Sequence, residues 1–152
     1  MSISALIWST ADLLRGDYKQ SDYGKIILPF TLLRRLECVL EPTRDAVLKE
    51  YEARKSLNVP LEQFLVRKSN NSFYNTSKYT LSKLMADSNN IRENLESYIT
   101  SFSANAREVF EKYEFDKQLD KLNENNLLYM IVEKFSSFDL SPEKVSNHQM
   151  GL

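Results

Sequence analysis

Residues 22–40 read DYGKIILPFTLLRRLECVL and contain a nearly unbroken apolar run, with a proline inside it and two arginines at its end. On an ideal helix, apolar side chains cover most of its circumference, and Gly24, Thr31 and Arg35 share one narrow polar strip. A helix that is apolar nearly all round is normally buried among other helices. The segment therefore predicts the central helix of a bundle. We expect a kink at Pro29, because proline cannot donate the backbone hydrogen bond of its turn.

Apolar residues recur at helical spacing on both sides of this segment. The two clearest stripes are Ile3, Leu6, Ile7, Ala11 and Leu14, and later Leu128, Ile131, Val132, Phe135 and Phe138. Residues that favour helix N-termini precede most other apolar patterns: Ser21 or Asp22, Thr43, Pro60, Thr80, Asn89 or Asn90, Ser103 and Ser141-Pro142-Glu143. We therefore predict successive helices along the chain, with Gly16 ending the first.

Residues 67–79, RKSNNSFYNTSKY, interrupt this pattern because they are polar and have no helical period. They predict a long loop with a short extended piece. The chain has the length of one domain, and its three glycines leave few tight hairpin turns. The predicted fold class is all-α: a compact helical bundle of roughly seven to nine helices, with one long polar loop at about 67–79. The whole chain, 1–152, is predicted to form this single domain.

The overall composition excludes several classes of protein. The net charge is −1, so no general electrostatic field attracts nucleic acid or a membrane surface. No apolar run approaches the ~20 residues needed to span a bilayer, and residues 1–16 are interpreted as a structural helix rather than a signal peptide. Cys38 is the only cysteine, which excludes an intrachain disulfide and favours a reducing, cytoplasmic location.

Side chains that carry catalysis or bind metal are scarce. His148 is the only histidine, which argues against a histidine-based triad or metal cluster. Cys38 follows core leucines and is interpreted as a small buried hydrophobic residue rather than a nucleophile. Gly16, Gly24 and Gly151 are too far apart for a phosphate-binding loop. We predict no catalytic, cofactor-binding or metal-binding residues in this chain.

Charge is unevenly distributed along the chain even though the total is near zero. Residues 15–35 contain five basic and two acidic residues, whereas residues 108–124 contain six acidic and three basic residues. A local basic surface can contact phosphates without base specificity. The alternative is that both segments are ordinary solvated helix faces.

Eight basic residues are candidates for contact with DNA or with a neighbouring subunit: Arg15, Lys19, Lys25, Arg34, Arg35, Arg67, Lys68 and Lys78. For Arg34 and Arg35 two interpretations stay open, a contact with a partner or a buried ion pair. The acid of such a pair would be Asp12 or Glu37. Three aromatic residues lie near Arg67, Lys68 and Lys78 in the sequence: Phe73, Tyr74 and Tyr79. They either stack on bases or anchor the loop, and we favour the anchoring role.

Residues 7–43 resemble the opening of the modification (M) subunit of type I restriction–modification systems. The residues that carry the resemblance are Trp8, Ala11, Asp12, Leu14, Arg15, Gly16, Tyr23, Ile27, Leu28, Pro29, Leu33, Arg34, Arg35 and Leu36. Two shorter stretches extend it, FYNTSKYT at 73–80 and VSNHQMGL at 145–152. The resemblance therefore covers essentially the whole chain.

The resemblance implies a helical N-terminal domain that precedes a Rossmann-like catalytic domain. In this family the M subunit is an N6-adenine DNA methyltransferase that uses S-adenosylmethionine. Its glycine-rich cofactor loop and its Asn-Pro-Pro-aromatic motif are both missing here, because no Gly-x-Gly occurs and the four prolines are isolated. The resemblance thus implies a non-catalytic chain without a cofactor of its own, with the catalytic domain expected after Leu152. A deliberate N-terminal fragment is the first interpretation, and a naturally split protein is the second.

The function implied by the resemblance is that of a DNA-clamp and subunit-assembly domain in a bacterial defence complex. A separate specificity subunit reads the DNA sequence in this family, so this domain needs no base contacts. The implied partners are DNA, bound weakly and non-specifically through the assembled complex, the specificity subunit and a second M subunit, and the restriction subunit is a further candidate. The alternative function is a stand-alone helical adaptor between proteins that never contacts DNA.

Overall fold

Helices follow one another along the described chain. The computed structural model describes residues 2–150, and its α-helices are α1 (Ile3–Leu14), α2 (Gly24–Leu40), α3 (Arg44–Arg54), α4 (Glu62–Ser69), α5 (Leu81–Leu84), α6 (Ile91–Thr100), α7 (Ala104–Lys112), α8 (Phe115–Glu124), α9 (Leu128–Ser136) and α10 (Asn147–Met150). Short 3₁₀ turns occupy Gln20–Asp22, Glu41–Thr43 and Met85–Asn90. Residues 2–150 contain no named β-strand, and eight of their α-helices have eight residues or more. The predicted all-α bundle is confirmed.

Phe30 of α2 lies fully buried at the centre of the core. Its ring meets Phe115 of α8 edge-on, with 5.0 Å between centroids, and lies 5.6 Å from the ring of Phe135 of α9. Aromatic pairs at such distances contribute roughly 0.5–1.5 kcal/mol beyond their burial. A row of rings leads outward from Phe115 with centroids 5.5–5.8 Å apart: Phe110, Phe102 and Tyr98. The predicted central helix, α2, therefore does pack in the middle of the bundle.

The two faces of α2 differ from the prediction. Leu28 is 54% exposed, whereas Thr31 and Arg35 of the expected polar strip are buried. Thr31 is accommodated because its hydroxyl donates to the carbonyl of Ile27, 2.6 Å away, one turn earlier. Pro29 is buried within the unbroken helix, and a kink at this residue stays a prediction.

The start of α2 also differs from the prediction that Ser21 or Asp22 caps it. Both residues belong to a 3₁₀ turn, and Tyr23 precedes the helix without a capping hydrogen bond. Tyr23 already has helical backbone angles, φ −58° and ψ −41°, so the turn runs directly into the helix. The side chain of Asp22 instead pairs with Lys25, with Oδ1 3.2 Å from Nζ.

Thr80 and Ser103 give different outcomes for the predicted caps. The Thr80 hydroxyl accepts a hydrogen bond from the Lys83 amide at 3.2 Å and caps α5, as predicted. Ser103 does precede α7, but its side chain makes no capping bond. Its hydroxyl instead accepts from the amide of Tyr74 at 3.1 Å and donates to Asn105 at 2.7 Å. Ser103 therefore holds the polar loop against the start of α7 and does not cap the helix.

The stretch 141–143 does not begin a helix, which corrects the prediction. It forms a turn, and the last helix, α10, begins only at Asn147. Within the turn, the Ser141 carbonyl accepts from the amides of Lys144 and Val145 at 3.0 and 2.9 Å. Arg35 of α2 donates to the flanking carbonyls of Leu140 and Val145, at 2.8 and 2.6 Å. These bonds hold the backbone on either side of the turn against α2.

α1 buries Thr10 in its core-facing stripe and leaves Ile7 38% exposed, although the stripe predicted the apolar residue to be inside. The Thr10 hydroxyl is satisfied because it donates to the carbonyl of Leu6 at 2.8 Å. Gly16 follows the end of α1 with φ +97°, a conformation that residues with a Cβ rarely adopt. The predicted helix end is therefore confirmed.

The polar loop begins three residues later than predicted, because α4 continues to Ser69. Asn70 ends the helix in the left-handed conformation, with φ 57°, which asparagine tolerates better than most residues. Arg67 and Lys68 consequently lie on the last turn of α4 rather than in the loop.

The rest of the loop is fixed to the bundle. Asn75 pairs with Phe102 in an isolated antiparallel bridge, which is the predicted short extended piece. Phe73 and Tyr79 are partly buried against the core, and burial raises the pKa of the neighbouring Tyr74 hydroxyl. The aromatic residues therefore anchor the loop, the interpretation favoured from the sequence.

Candidate nucleic-acid and subunit interface

The N-terminal basic segment, residues 15–25, carries two cations that are already paired with acids. Arg15 Nη2 lies 2.9 Å from Asp12 Oδ1, and Lys25 pairs with Asp22. Lys19 is exposed and makes no ion pair in the described part of the chain. Exposed pairs contribute little to stability, but each places a carboxylate where an approaching phosphate would have to bind.

The same segment lies beside the acidic helix α8. The ring of Tyr18 is buried under Lys121, whose Nζ is 4.4 Å from the ring centroid. Burial raises the pKa of the Tyr18 hydroxyl, and the carboxylates of Asp17 and Glu124 raise it further. The charge split along the sequence therefore does not produce two separate faces, because the basic segment and an acidic helix are neighbours.

Arg34 forms the ion pair that the sequence left open, and its partner is Glu37, which is 4% exposed while Arg34 is 18% exposed. Arg34 Nη1 lies 2.5 Å from Glu37 Oε1, and Arg34 Nε donates to the carbonyl of Phe138 at 2.7 Å. The second oxygen of Glu37 accepts from the Tyr98 hydroxyl at 2.6 Å and from the Leu81 amide at 2.8 Å. The guanidinium of Arg34 thus makes its bonds within the domain.

Arg35 is 3% exposed and uses neutral acceptors rather than an acid. Besides the carbonyls of Leu140 and Val145, it donates to Asn147 Oδ1 at 2.9 Å. Residues 138–147, here called the C-terminal strap, are therefore fastened to α2 by two adjacent arginines. The bonds of both guanidinium groups within the domain favour the structural interpretation of Arg34 and Arg35 over a contact with a partner.

Helices α3 and α4 form an antiparallel hairpin, here called the arm, residues 44–69. Val47 and Leu65 are buried in it but do not belong to the main core cluster. Two hydrogen bonds hold its base. Thr43 Oγ1, just before α3, donates to the Ser69 carbonyl at the end of α4 at 2.8 Å, and Arg44 Nη2 donates to the carbonyl of residue 78 in the loop at 2.7 Å. The arm is thus attached mainly at the start of α3 and the end of α4.

Three exposed candidate cations lie at the base of the arm: Arg67 and Lys68 on the last turn of α4, and Lys78 in the adjoining loop. None of the three makes an ion pair within 4.0 Å in residues 2–150. Two of the arm's four acids have close cationic partners, since Glu50 pairs with Arg54 and Glu52 pairs with Lys55. Asp45 lies 3.9 Å from Arg44, and Glu62 at the start of α4 makes no ion pair within 4.0 Å in the described residues. Residues 44–80 contain seven basic and four acidic residues, which makes this segment positively charged while the rest of the chain is negative.

Reactive side chains are not assembled into a site in the described chain. Cys38 is half-buried, and burial raises the pKa of its thiol. Within residues 2–150 no group of three potential metal ligands comes together. An open cavity of about 310 Å³ lies between α6, α7 and α8, with Phe110 and Phe115 at its floor and charges of both signs, such as Arg107 and Glu111, at its rim.

The fold and its exposed cations define an all-α domain whose candidate functional groups are surface charges. A family model described as HsdM N-terminal domain matches residues 3–135. The chain belongs to this family, the N-terminal domain of the M subunits of type I restriction–modification systems. No curated protein and no solved structure matches the chain significantly. None of the helices in residues 2–150 is long and apolar enough to cross a membrane.

The family match covers the sequence blocks at 7–43 and 73–80 that first indicated the resemblance. The third block, 145–152, lies beyond the matched range, and its last two residues lie outside the described part of the chain. The sequence did not indicate the arm, because the apolar patterns of α3 and α4 resemble those of any bundle helix. The excess of basic over acidic residues within residues 44–80 is the sequence signal that could have indicated the arm.

Proposed function

We propose that this domain gives an adenine-methylating M subunit a sequence-independent contact with DNA and a surface for subunit assembly, without chemistry of its own. Membership of the HsdM N-terminal domain family is the observation that carries the proposal. The parent protein would be an S-adenosylmethionine-dependent methyltransferase whose cofactor loop and adenine-binding motif lie outside this sequence. The implied setting is a cytoplasmic complex of two M subunits with a specificity subunit, to which a restriction subunit can bind.

Exposed cations support the DNA part of the proposal. Arg67, Lys68 and Lys78 have no acidic partner in the described chain, so a phosphate can bind them without displacing a carboxylate. Contacts of this kind position a protein on the duplex but carry no sequence information. That division of labour agrees with a separate specificity subunit.

Exposed apolar side chains support the assembly part of the proposal. Trp8 on α1 is 66% exposed, and Leu28 on α2 and Leu57 at the tip of the arm are each more than half exposed. Tryptophan is among the residues that contribute most to protein interfaces when a partner buries it. These positions make α1, α2 and the arm tip candidate contacts with neighbouring subunits.

The DNA proposal is tested by fluorescence anisotropy of two labelled duplexes of different sequence, titrated with the 152-residue chain across a salt series. We expect equal, weak affinities, at roughly 10⁻⁴ to 10⁻⁶ M near physiological salt, and a linear fall of log K with log salt concentration. The complete lack of binding at low salt would overturn the DNA part and favour the adaptor function. Clear discrimination between the duplexes would overturn the proposed lack of base contacts.

A further inference from the structure

The cations at the base of the arm lie closer together in the fold than in the sequence. Thr43 and Arg44 are adjacent, and their side chains bind the carbonyls of Ser69 and Lys78, respectively. The last turn of α4, which carries Arg67 and Lys68, therefore meets the loop at the first turn of α3. The cluster formed by Arg67, Lys68 and Lys78 is here called the basic end.

We infer that the basic end, rather than the N-terminal basic segment, is the surface that binds the phosphate backbone of DNA. The inference deepens the proposed function and rests on it. It reverses the ranking that the sequence suggests, because residues 15–35 have the denser run of basic residues.

Ion pairing is the first argument for this assignment. In the N-terminal segment Arg15 and Lys25 are paired with Asp12 and Asp22, and α8 adds further acidic groups beside it. A phosphate that binds there competes with carboxylates already in place. At the basic end, none of the three cations lies within 4.0 Å of a carboxylate oxygen of the described residues. Each cation therefore keeps its full charge for an incoming anion.

Glu52 is an acid that lies within electrostatic range of Lys78. A hydrogen bond from Lys55 is the main reason that the pKa of Glu52 is lowered, and the charge of Lys78 contributes less. Since Lys55 Nζ lies 2.8 Å from Glu52 Oε2, this carboxylate already has a cationic partner. Lys78 therefore remains available for a phosphate.

Rigidity is the second argument. The carbonyl of Lys78 is held by Arg44, and Tyr79 next to it is packed against the core. Arg67 and Lys68 stand on a helix that ends in a defined left-handed residue. Cations on an ordered backbone lose less conformational freedom on binding than cations on a mobile tail.

A structural role explains only part of this cluster. Basic residues in the last turn of a helix interact favourably with its negative C-terminal end, and Arg67 and Lys68 are in that position on α4. Lys78 lies in the loop and has no such role. A helix-terminus role changes thermal stability and leaves DNA affinity alone, so the two roles are separated by measuring both.

The test compares two variants of the 152-residue chain that lose the same charge. One carries Arg67→Gln, Lys68→Gln and Lys78→Gln, and the matched control carries Arg15→Gln, Lys19→Gln and Lys25→Gln. Duplex affinity is measured by anisotropy across a salt series, and thermal melts check that both variants fold. Because the net charge change is equal, a difference between the variants reports the location of the contact rather than the general field.

We expect the basic-end variant to lose about tenfold or more in affinity on every duplex. Its plot of log K against log salt should become less steep by about 0.9 for each phosphate contact removed. The control variant should keep an affinity within about threefold of the original chain.

The outcomes separate the inference from the function on which it rests. A larger loss in the control variant, or equal losses in both, would overturn the inference and leave the DNA function standing. Unchanged binding in both variants would also overturn it, and would place the contact on other residues. If the unmodified chain binds no duplex at low salt, the DNA function and the inference fail together.

Discussion

Glu37 and Arg34 form a buried ion pair one turn apart on α2, and this pair connects elements that are distant in sequence. Arg34 reaches the strap through the carbonyl of Phe138. Glu37 accepts from the Leu81 amide at the start of α5 and from the Tyr98 hydroxyl on α6. A buried pair is tolerable only when its remaining hydrogen-bonding groups are also satisfied. Here the bonds that satisfy it are those that join α2 to three other parts of the domain.

Removal of the Glu37 carboxylate should strongly destabilise the domain. We expect Glu37→Leu to lower the free energy of unfolding by about 3–5 kcal/mol. It leaves the half-buried Arg34 without its counter-ion, and it leaves the buried Tyr98 hydroxyl and Leu81 amide without an acceptor. Urea unfolding followed by circular dichroism measures the change. The control is Asp12→Asn, which breaks the exposed pair with Arg15 and should cost less than about 1 kcal/mol. If Glu37→Leu also cost less than about 1 kcal/mol, the result would contradict this account of the pair.

Tyr98 should make the domain less stable in alkaline solution. Burial raises the pKa of its hydroxyl well above 10.0, and the carboxylate of Glu37 raises it further. Because the folded-state pKa is raised, the contribution of Tyr98 is complete below the unfolded-state pKa of about 10 and is lost as pH rises towards the folded-state value.

The measurement is urea unfolding of the original chain and Tyr98→Phe at several pH values between about 8 and 11. We expect the free energy of unfolding to fall above about pH 10 in both, with a shallower fall in Tyr98→Phe. Other tyrosines with raised pKa values, such as Tyr18, are the same in both proteins. Identical pH dependence would show that Tyr98 ionises normally.

The C-terminal strap should be required for stability although it lies beyond the matched family range. A chain that ends at Phe135 loses the buried side chains of Leu140 and Val145, each worth about 1.5–3 kcal/mol, and leaves the Arg35 donors without acceptors. We expect a much lower melting temperature than for a control chain that ends at Met150. Equal melting temperatures would mean that the strap contributes nothing to the fold.

Pro29→Ala should leave the domain folded and straighten α2. The position is helical and buried, and alanine favours a helix interior by about 3 kcal/mol over proline, which offsets the lost burial of the ring. Far-ultraviolet circular dichroism should show an unchanged helical signal. The comparison is Leu33→Ala in the same helix, where we expect a loss of about 2–5 kcal/mol because a core cavity remains. Collapse of the helical signal in Pro29→Ala would contradict the prediction.

The 152-residue chain should neither bind S-adenosylmethionine nor methylate DNA. The sequence has no Gly-x-Gly loop to approach the cofactor and no Asn-Pro-Pro motif to hold an adenine. Isothermal titration calorimetry of the chain with the cofactor is the measurement, and a complete M subunit is the positive control. Micromolar binding by the chain alone would place a cofactor site in this helical domain and refute the proposal.

Local patterns predicted the helices well, because the spacing of apolar residues is enough to identify the buried face of a helix. They did not predict which polar side chains can be buried, or where a distant residue holds the backbone. Thr10 is inside because its hydroxyl is satisfied within its own helix, whereas Ile7, on the predicted stripe, is left partly exposed. The turn at 141–143 is held against α2 by Arg35, more than a hundred residues earlier, which binds the carbonyls of Leu140 and Val145. No spacing rule within the segment contains that information.

The candidate site was predictable to a similar degree. Glu37 was named as one of two possible partners of Arg34, since residues three apart share a helix face. The acceptors of Arg35 were not predictable, because they are backbone groups of a distant segment. The count of basic residues favoured the N-terminal segment, but counting charges in sequence does not show which of them meet carboxylates in the fold. The roles of the eight candidate cations in binding remain predictions.

The fastening of the strap by Arg34 and Arg35 also sets when this domain can finish folding. During synthesis these arginines leave the ribosome about a hundred residues before the carbonyls that they bind at Phe138, Leu140 and Val145. Until those residues emerge, α2 cannot be enclosed without burying donors that have no acceptors, which is costly. We therefore expect the bundle to close only when the chain has emerged from the ribosome to about residue 147, so that α2 is enclosed late although it belongs to the N-terminal part of the domain.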